Sequence, residues 1–90
     1  ATAAQPIAVS IPRVGWSEQD PDLWVEAVWT CLDGLAAQAP REMAAVEGIG
    51  LSGQMLAALP LGADLRPLRP AILWNDQRAI AECAELLALC

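Results

Sequence analysis

Two short stretches of the sequence set polar side chains beside small or apolar ones where a strand would end. In "IGLSGQMLAALPL", residues 49–61, an apolar run is interrupted by Ser52-Gly53-Gln54 before Met55 and Leu56 resume it. In "AILWNDQRA", Trp74, Asn75 and Asp76 stand between an apolar run and a helical pattern. Hydroxyl, amide and carboxylate groups in such places can bond a polar ligand, and ligands on layered α/β sheets sit at strand ends, so the two stretches could form one pocket floor. Each also has a reading without chemistry. Glycine inside a strand marks a turn or bulge, Met55 suits plain core, and Asn75 or Asp76 can cap the helix that follows.

The elements that must position these residues follow from periodicity. Ile7, Val9 and Ile11 alternate with Ala8 and Ser10 between Pro6 and Pro12, which predicts a strand with one buried face. A polar loop, "RVGWSEQDP", leads to a helix start with Asp20 as N-cap, Pro21 at the first helical position and Asp22 in the first turn. Trp24, Val28, Leu32 and Leu35 then recur at helical spacing to about Gln38, and Pro40 closes the helix. "GIGLSG" reads as a strand buried on both faces, reached by a crossover. "MLAALPL" and "RPLRPAILW" read as further strands, with Pro67 and Pro70 at their ends or on a sheet edge. "NDQRAIAECAELLALC" reads as a second helix with Ile80, Cys83, Ala84 and Leu87 as its apolar stripe. The order predicts an α/β layer with a mixed β-sheet and flanking helices.

Composition narrows the function classes. A chain of 90 residues buries only about 60 to 65% of its unfolded surface, yet this one is 56% hydrophobic. Part of that apolar surface is expected to lie against other polypeptide. A net charge of −6, with five Arg and no Lys, argues against nucleic acid. No apolar run reaches the roughly 18 residues of a membrane span, and "ATAAQPIAVS" lacks the pattern of a signal peptide. A cytoplasmic location is expected. Cys31, Cys83 and Cys90 read as small apolar residues, since no His accompanies them in a metal-ligand pattern.

Taken together, "GWSEQDPDLW", "IGLSGQM" and "LRPAILWNDQRAIAEC" resemble the FGGY carbohydrate kinases, and within them the xylulokinase-like branch. The resemblance runs from Gly15 onward, in three segments of matching order and spacing. It implies the actin-like, ribonuclease-H-like ATPase fold. It also implies transfer of the γ-phosphoryl of ATP, with Mg2+, to a hydroxyl of a ketose or polyol, with a xylulose-like sugar the first choice.

On the same resemblance, residues 1–90 form part of the N-terminal, sugar-binding domain. The family's phosphate loop then lies upstream, its general base lies downstream, and ATP and Mg2+ bind outside this segment. Gln54, Met55 and Leu56 are implied on the substrate side, with Trp74 lining the same pocket and Asn75 and Asp76 as hydroxyl partners or helix cap. Xylulokinases usually carry His directly after the Met, where this sequence has Leu56. The intact enzyme is expected to be a cytoplasmic homodimer with a small-molecule sugar or polyol substrate and neither nucleic acid nor membrane as partner. Phosphoryl transfer is a matter of positioning and electrostatic stabilisation. With no Lys, phosphate loop or general base, the segment alone is expected to be catalytically silent. The alternative is a non-catalytic binding or interaction module derived from this fold.

Overall fold

The computed structural model describes residues 1–90. Its elements, in chain order, are β1 (Glu18–Gln19), α1 (Pro21–Gln38), α2 (Pro40–Ala44), β2 (Ala71–Ile72) and α3 (Ile80–Leu89). Strand β1 pairs antiparallel with β2, Glu18 opposite Ile72 and Gln19 opposite Ala71. Isolated bridges extend the pairing at Ser10–Glu18, Ala58–Ile72 and Leu61–Pro67.

Helix α1 has the bounds its local signals dictate. The Asp20 carboxylate accepts the Asp22 N–H at 3.0 Å, so one orphan donor of the first turn is satisfied. At the other end Ala39 N–H reaches Leu35 O at 2.8 Å, and Ala39 leaves helical geometry with φ −141°. Pro40 has no N–H with which to continue the ladder and disfavours helix in the residue before it. It restarts the chain as the first residue of α2.

Few residues are buried: Ala71 fully, Leu73 and Ala27 nearly so, and with them Ser17, Glu18 and Pro21. The radius of gyration is 17.9 Å, against about 12 Å for a compact chain of this length. These residues therefore do not close on themselves. Much of the apolar sequence is uncovered, including Ile49, Leu51 and, on α3, Ile80, Leu86 and Leu87.

Several expected elements take another form. Residues 7–11 make one bridge, at Ser10, instead of a strand. Residues 48–51 are irregular and exposed where a doubly buried strand was expected, and the described sheet is a two-stranded antiparallel one. A crossover strand gains its stability from neighbours on both sides, and none is supplied within these residues. Helix α3 begins at Ile80 with Ala79 as an N-cap that makes no side-chain bond, so neither Asn75 nor Asp76 caps it. Its predicted apolar stripe, Cys83 included, is exposed.

Candidate functional site

Strand β1 is only two residues long, but it organises two polar arrangements. Successive side chains of a strand point to opposite faces, and Gln19 and Glu18 accordingly serve different neighbours.

On the Gln19 side lies an open groove of about 680 Å³ between α1 and the segment Ser52–Ala57. That volume falls within the range of small-molecule sites. Its walls are mainly apolar, from Ile7, Val28, Cys31 and Leu32, and its polar side is Ser52, Gln54 and Gln19. Trp24 Nε1–H donates to Gln19 Oε1 at 3.0 Å, and Gln54 Nε2 donates to the same oxygen at 3.4 Å. Chemistry fixes the amide orientations here. An indole N–H is only ever a donor, so the Gln19 atom beside it is the oxygen. Gln54 must then offer that oxygen its NH2 group, and its own Oε1 has no protein donor. The groove thus presents a carbonyl acceptor, suited to a ligand hydroxyl.

Gly53 borders the groove without being required there by the backbone. Its φ is not positive, and a Cβ built on it would meet nothing within 4 Å. Glycine at such a position leaves room for something to approach.

On the Glu18 side an ionic cluster joins chain segments far apart in sequence. Arg78 forks onto Asp76, with Nε to Oδ1 at 2.8 Å and Nη2 to Oδ2 at 2.7 Å. The same Nη2 lies 2.8 Å from Glu18 Oε1, which also accepts Arg69 Nη2 at 2.8 Å. The guanidinium carbon of Arg78 sits 3.8 Å from the centre of the Trp16 ring, a cation–π contact. Ser17 N–H donates to Asp76 Oδ2 at 2.6 Å. The Asp76 side chain is 3% exposed and that of Glu18 10%.

Charge in this cluster is mutually stabilised. Hydrogen bonding by Arg78 holds the Asp76 carboxyl well below the usual carboxylate range, against the opposing effect of burial, and the Ser17 and Arg78 N–H groups add to it. The Glu18 carboxyl is lowered by Arg78, again against burial, with a further contribution from Arg69. Arg78 is raised in turn, chiefly by its bonds to Asp76. Ser17 Oγ and Arg78 Nη1 are the buried polar side-chain atoms left without a partner.

Of the residues expected at the site, Gln54 alone lines the groove. Met55 and Leu56 follow it at an exposed bend, 80% and 86% accessible, with Leu56 in the left-handed region at φ 62°. That conformation is uncommon for a leucine, and it ends the strand that "MLAALPL" was expected to form. Trp74 and Asn75 are exposed on the turn after β2. Asp76 anchors that turn, with both its oxygens engaged. Gln19, Trp24, Glu18 and Arg78 were missed. The first two are signalled only as part of a capped helix start, and the ionic partners are about 50 to 60 residues apart, where no periodicity connects them. No three His, Cys, Asp or Glu side chains gather closely enough to hold a metal ion, and the sequence has no Lys.

Residues 1–89 match the family described as "FGGY family of carbohydrate kinases, N-terminal domain". The xylulose kinase of Klebsiella pneumoniae is 43% identical over 83 residues, covering 92% of this chain and 17% of that protein. A solved structure described as a "xyloylose kinase" from Brucella ovis superposes with a TM-score of 0.86 at 54% identity, covering 89% of this chain and 17% of that one. The xylulose kinase of Rhodospirillum rubrum superposes with a TM-score of 0.90 at 32% identity, over 96% of this chain and 18% of that one. The chain therefore spans less than a fifth of the length of the relatives it matches.

Proposed function

Because the chain belongs to the FGGY family of carbohydrate kinases and shares the actin-like ATPase fold of its xylulose kinase neighbours, we propose that it contributes part of the sugar-binding pocket of an ATP-dependent carbohydrate kinase. The reaction is transfer of the γ-phosphoryl of ATP to a hydroxyl of a ketose or polyol, with a xylulose-like sugar the best candidate. The residues form part of the N-terminal domain, and ATP and Mg2+ bind outside them. The intact enzyme acts in the cytoplasm as a homodimer.

The observation that carries this reading is the groove beside Ser52–Gln54, where Gln54 Oε1 is left as an acceptor and Gly53 leaves room beside it. A sugar needs both features, because each hydroxyl it brings must keep a partner when it leaves water. Met55, Leu56, Trp74 and Asn75 extend the sugar side. They are exposed within these residues, and the indole of Trp74 suits the C–H face of a sugar. Asp76 acts by holding the turn.

The complete protein is expected to release ADP in a sugar-dependent manner when tested with ketoses, aldoses and polyols. Gln54→Leu is expected to raise the KM for the preferred sugar about tenfold, for one lost hydrogen bond of roughly 1.4 kcal/mol, with the KM for ATP within about twofold of the parent. ADP release independent of every sugar would overturn the reading, and so would sugar binding without transfer, the behaviour of a non-catalytic module.

A further inference from the structure

We infer that Arg78 is a positioning residue for the turn Leu73–Asp76, tying it to the segment Gly15–Glu18 and so fixing how Trp74 and Asn75 are presented. The consequence for a sugar rests on the function proposed above; the positioning itself does not.

The turn is closed by Asp76 N–H to Leu73 O at 3.1 Å, and Trp74 and Asn75 are its central residues. Its base is sewn to the other segment on both flanks, by Leu73 N–H to Ser17 O at 2.9 Å and Gln77 N–H to Gly15 O at 2.7 Å. Gly15 makes the second bond from a left-handed conformation, φ 79°, that suits glycine. The third stitch, Ser17 N–H to Asp76 Oδ2, depends on a side chain, and that side chain is held by Arg78.

Arg78 is the only cation on Asp76, whereas Glu18 also has Arg69. One Nη2 group serves both carboxylates, so without Arg78 two nearly buried anions would face each other across the gap it fills. Asp76 would have to take a proton or turn toward water, drawing the Ser17 stitch with it. Trp74 and Asn75 stand between Leu73 and Asp76 and move with that change. Lysine cannot replace the arginine fully: a single ammonium makes neither the planar fork onto Asp76 nor the stack on Trp16.

The test uses the complete protein labelled with 5-fluorotryptophan, the Trp74 fluorine resonance being assigned by Trp74→Phe. Arg78→Met is expected to shift or broaden the Trp74 signal while that of Trp29, exposed on α1, stays in place. The sugar KM should rise about ten- to a hundredfold, as for a misplaced binding group, with the ATP KM within about twofold. Arg78→Lys should fall between parent and Arg78→Met on both readouts. If Arg78→Met does not fold, Arg78→Lys and Asp76→Asn carry the same comparison. An unmoved Trp74 resonance in the folded variants overturns the inference, and so does an equal change of the sugar and ATP constants. A parent that phosphorylates no sugar would remove the proposed function, while the Trp74 resonance would still decide the positioning role.

Discussion

The segments Gly15–Gln19 and Gly48–Leu56 stand in opposite conditions. The first contains three charged or polar side chains and is the better buried; its Ser17 N–H is bonded to Asp76, 59 residues away. The second carries Ile49, Leu51, Met55 and Leu56, all at least 80% exposed, and its side-chain link to the rest of the chain is Gln54 to Gln19. Directional partners within reach, not apolar content, decide which segment is fixed. The hydrophobic effect is non-directional and needs a facing surface, and the exposed Ile49, Leu51, Met55 and Leu56 have none among these residues. A Cβ built at Gly48 or Gly50 would meet nothing within 4 Å, which fits a segment with room for a neighbour.

Core truncation gives the largest effects. Leu73→Ala, at a side chain 6% exposed, is expected to cost about 2–5 kcal/mol in the unfolding free energy of the complete protein. If the rest of the polypeptide covers Gly48–Leu56, Leu51→Ala should cost a similar amount there. A Leu51→Ala change within about 0.5 kcal/mol, the usual size for a surface site, would show that this segment stays in water and that its glycines serve another purpose.

The next effect is on selectivity. Leu56 already has a left-handed backbone, where histidine is better tolerated than leucine. Leu56→His should therefore keep the bend and add an imidazole that can bond a sugar hydroxyl. The preference for xylulose over competing sugars is expected to rise by about 5- to 150-fold, or roughly 1–3 kcal/mol, in a kcat/KM series over ketoses and polyols. An unchanged ranking would take Leu56 out of the pocket.

The smallest effect is that of pH near neutrality on the ionic cluster, because its titrations lie well to the acid side. Asp76, paired with Arg78, and Glu18, paired with Arg78 and Arg69, have folded pKa values below their unfolded ones. The stability they contribute is fully present above about pH 4.3 and is lost as pH falls through the folded values beneath that. Thermal unfolding should be insensitive to these groups between about pH 5 and 8 and weaken below about pH 4, with the acid loss reduced in Asp76→Asn. Equal acid sensitivity in parent and Asp76→Asn would mean that the pairing does not stabilise the fold.

The same contrast explains what the sequence made legible. Helix α1 could be read to its last residue because Asp20, Pro21 and Pro40 act on their immediate neighbours. The strand expected over "RPLRPAILW" is made only at Ala71–Ile72, after Pro70. The strands expected at 7–11 and 48–51 depend on partners elsewhere, and their apolar residues alone could not say whether those partners are near. The cap expected at Asn75 or Asp76 failed for a related cause: the Asp76 carboxylate is occupied by Arg78, two residues on, and by Ser17, and no local pattern announces a partner as far along the chain as Ser17. At the site, Gln54 was legible as a polar break in an apolar run, whereas Gln19 and Trp24, which orient it, were not.

Whether the segment Ser52–Gln54 is a sugar-binding wall is decided by a crystal structure of the complete protein with a bound ketose. The expected structure has a sugar hydroxyl at hydrogen-bond distance, about 2.6–3.2 Å, from Gln54 Oε1, with the Gln54 amide still directed at Gln19. A ketose bound elsewhere, with another protein group seated against Gly53 and Gln54 in its place, would contradict it.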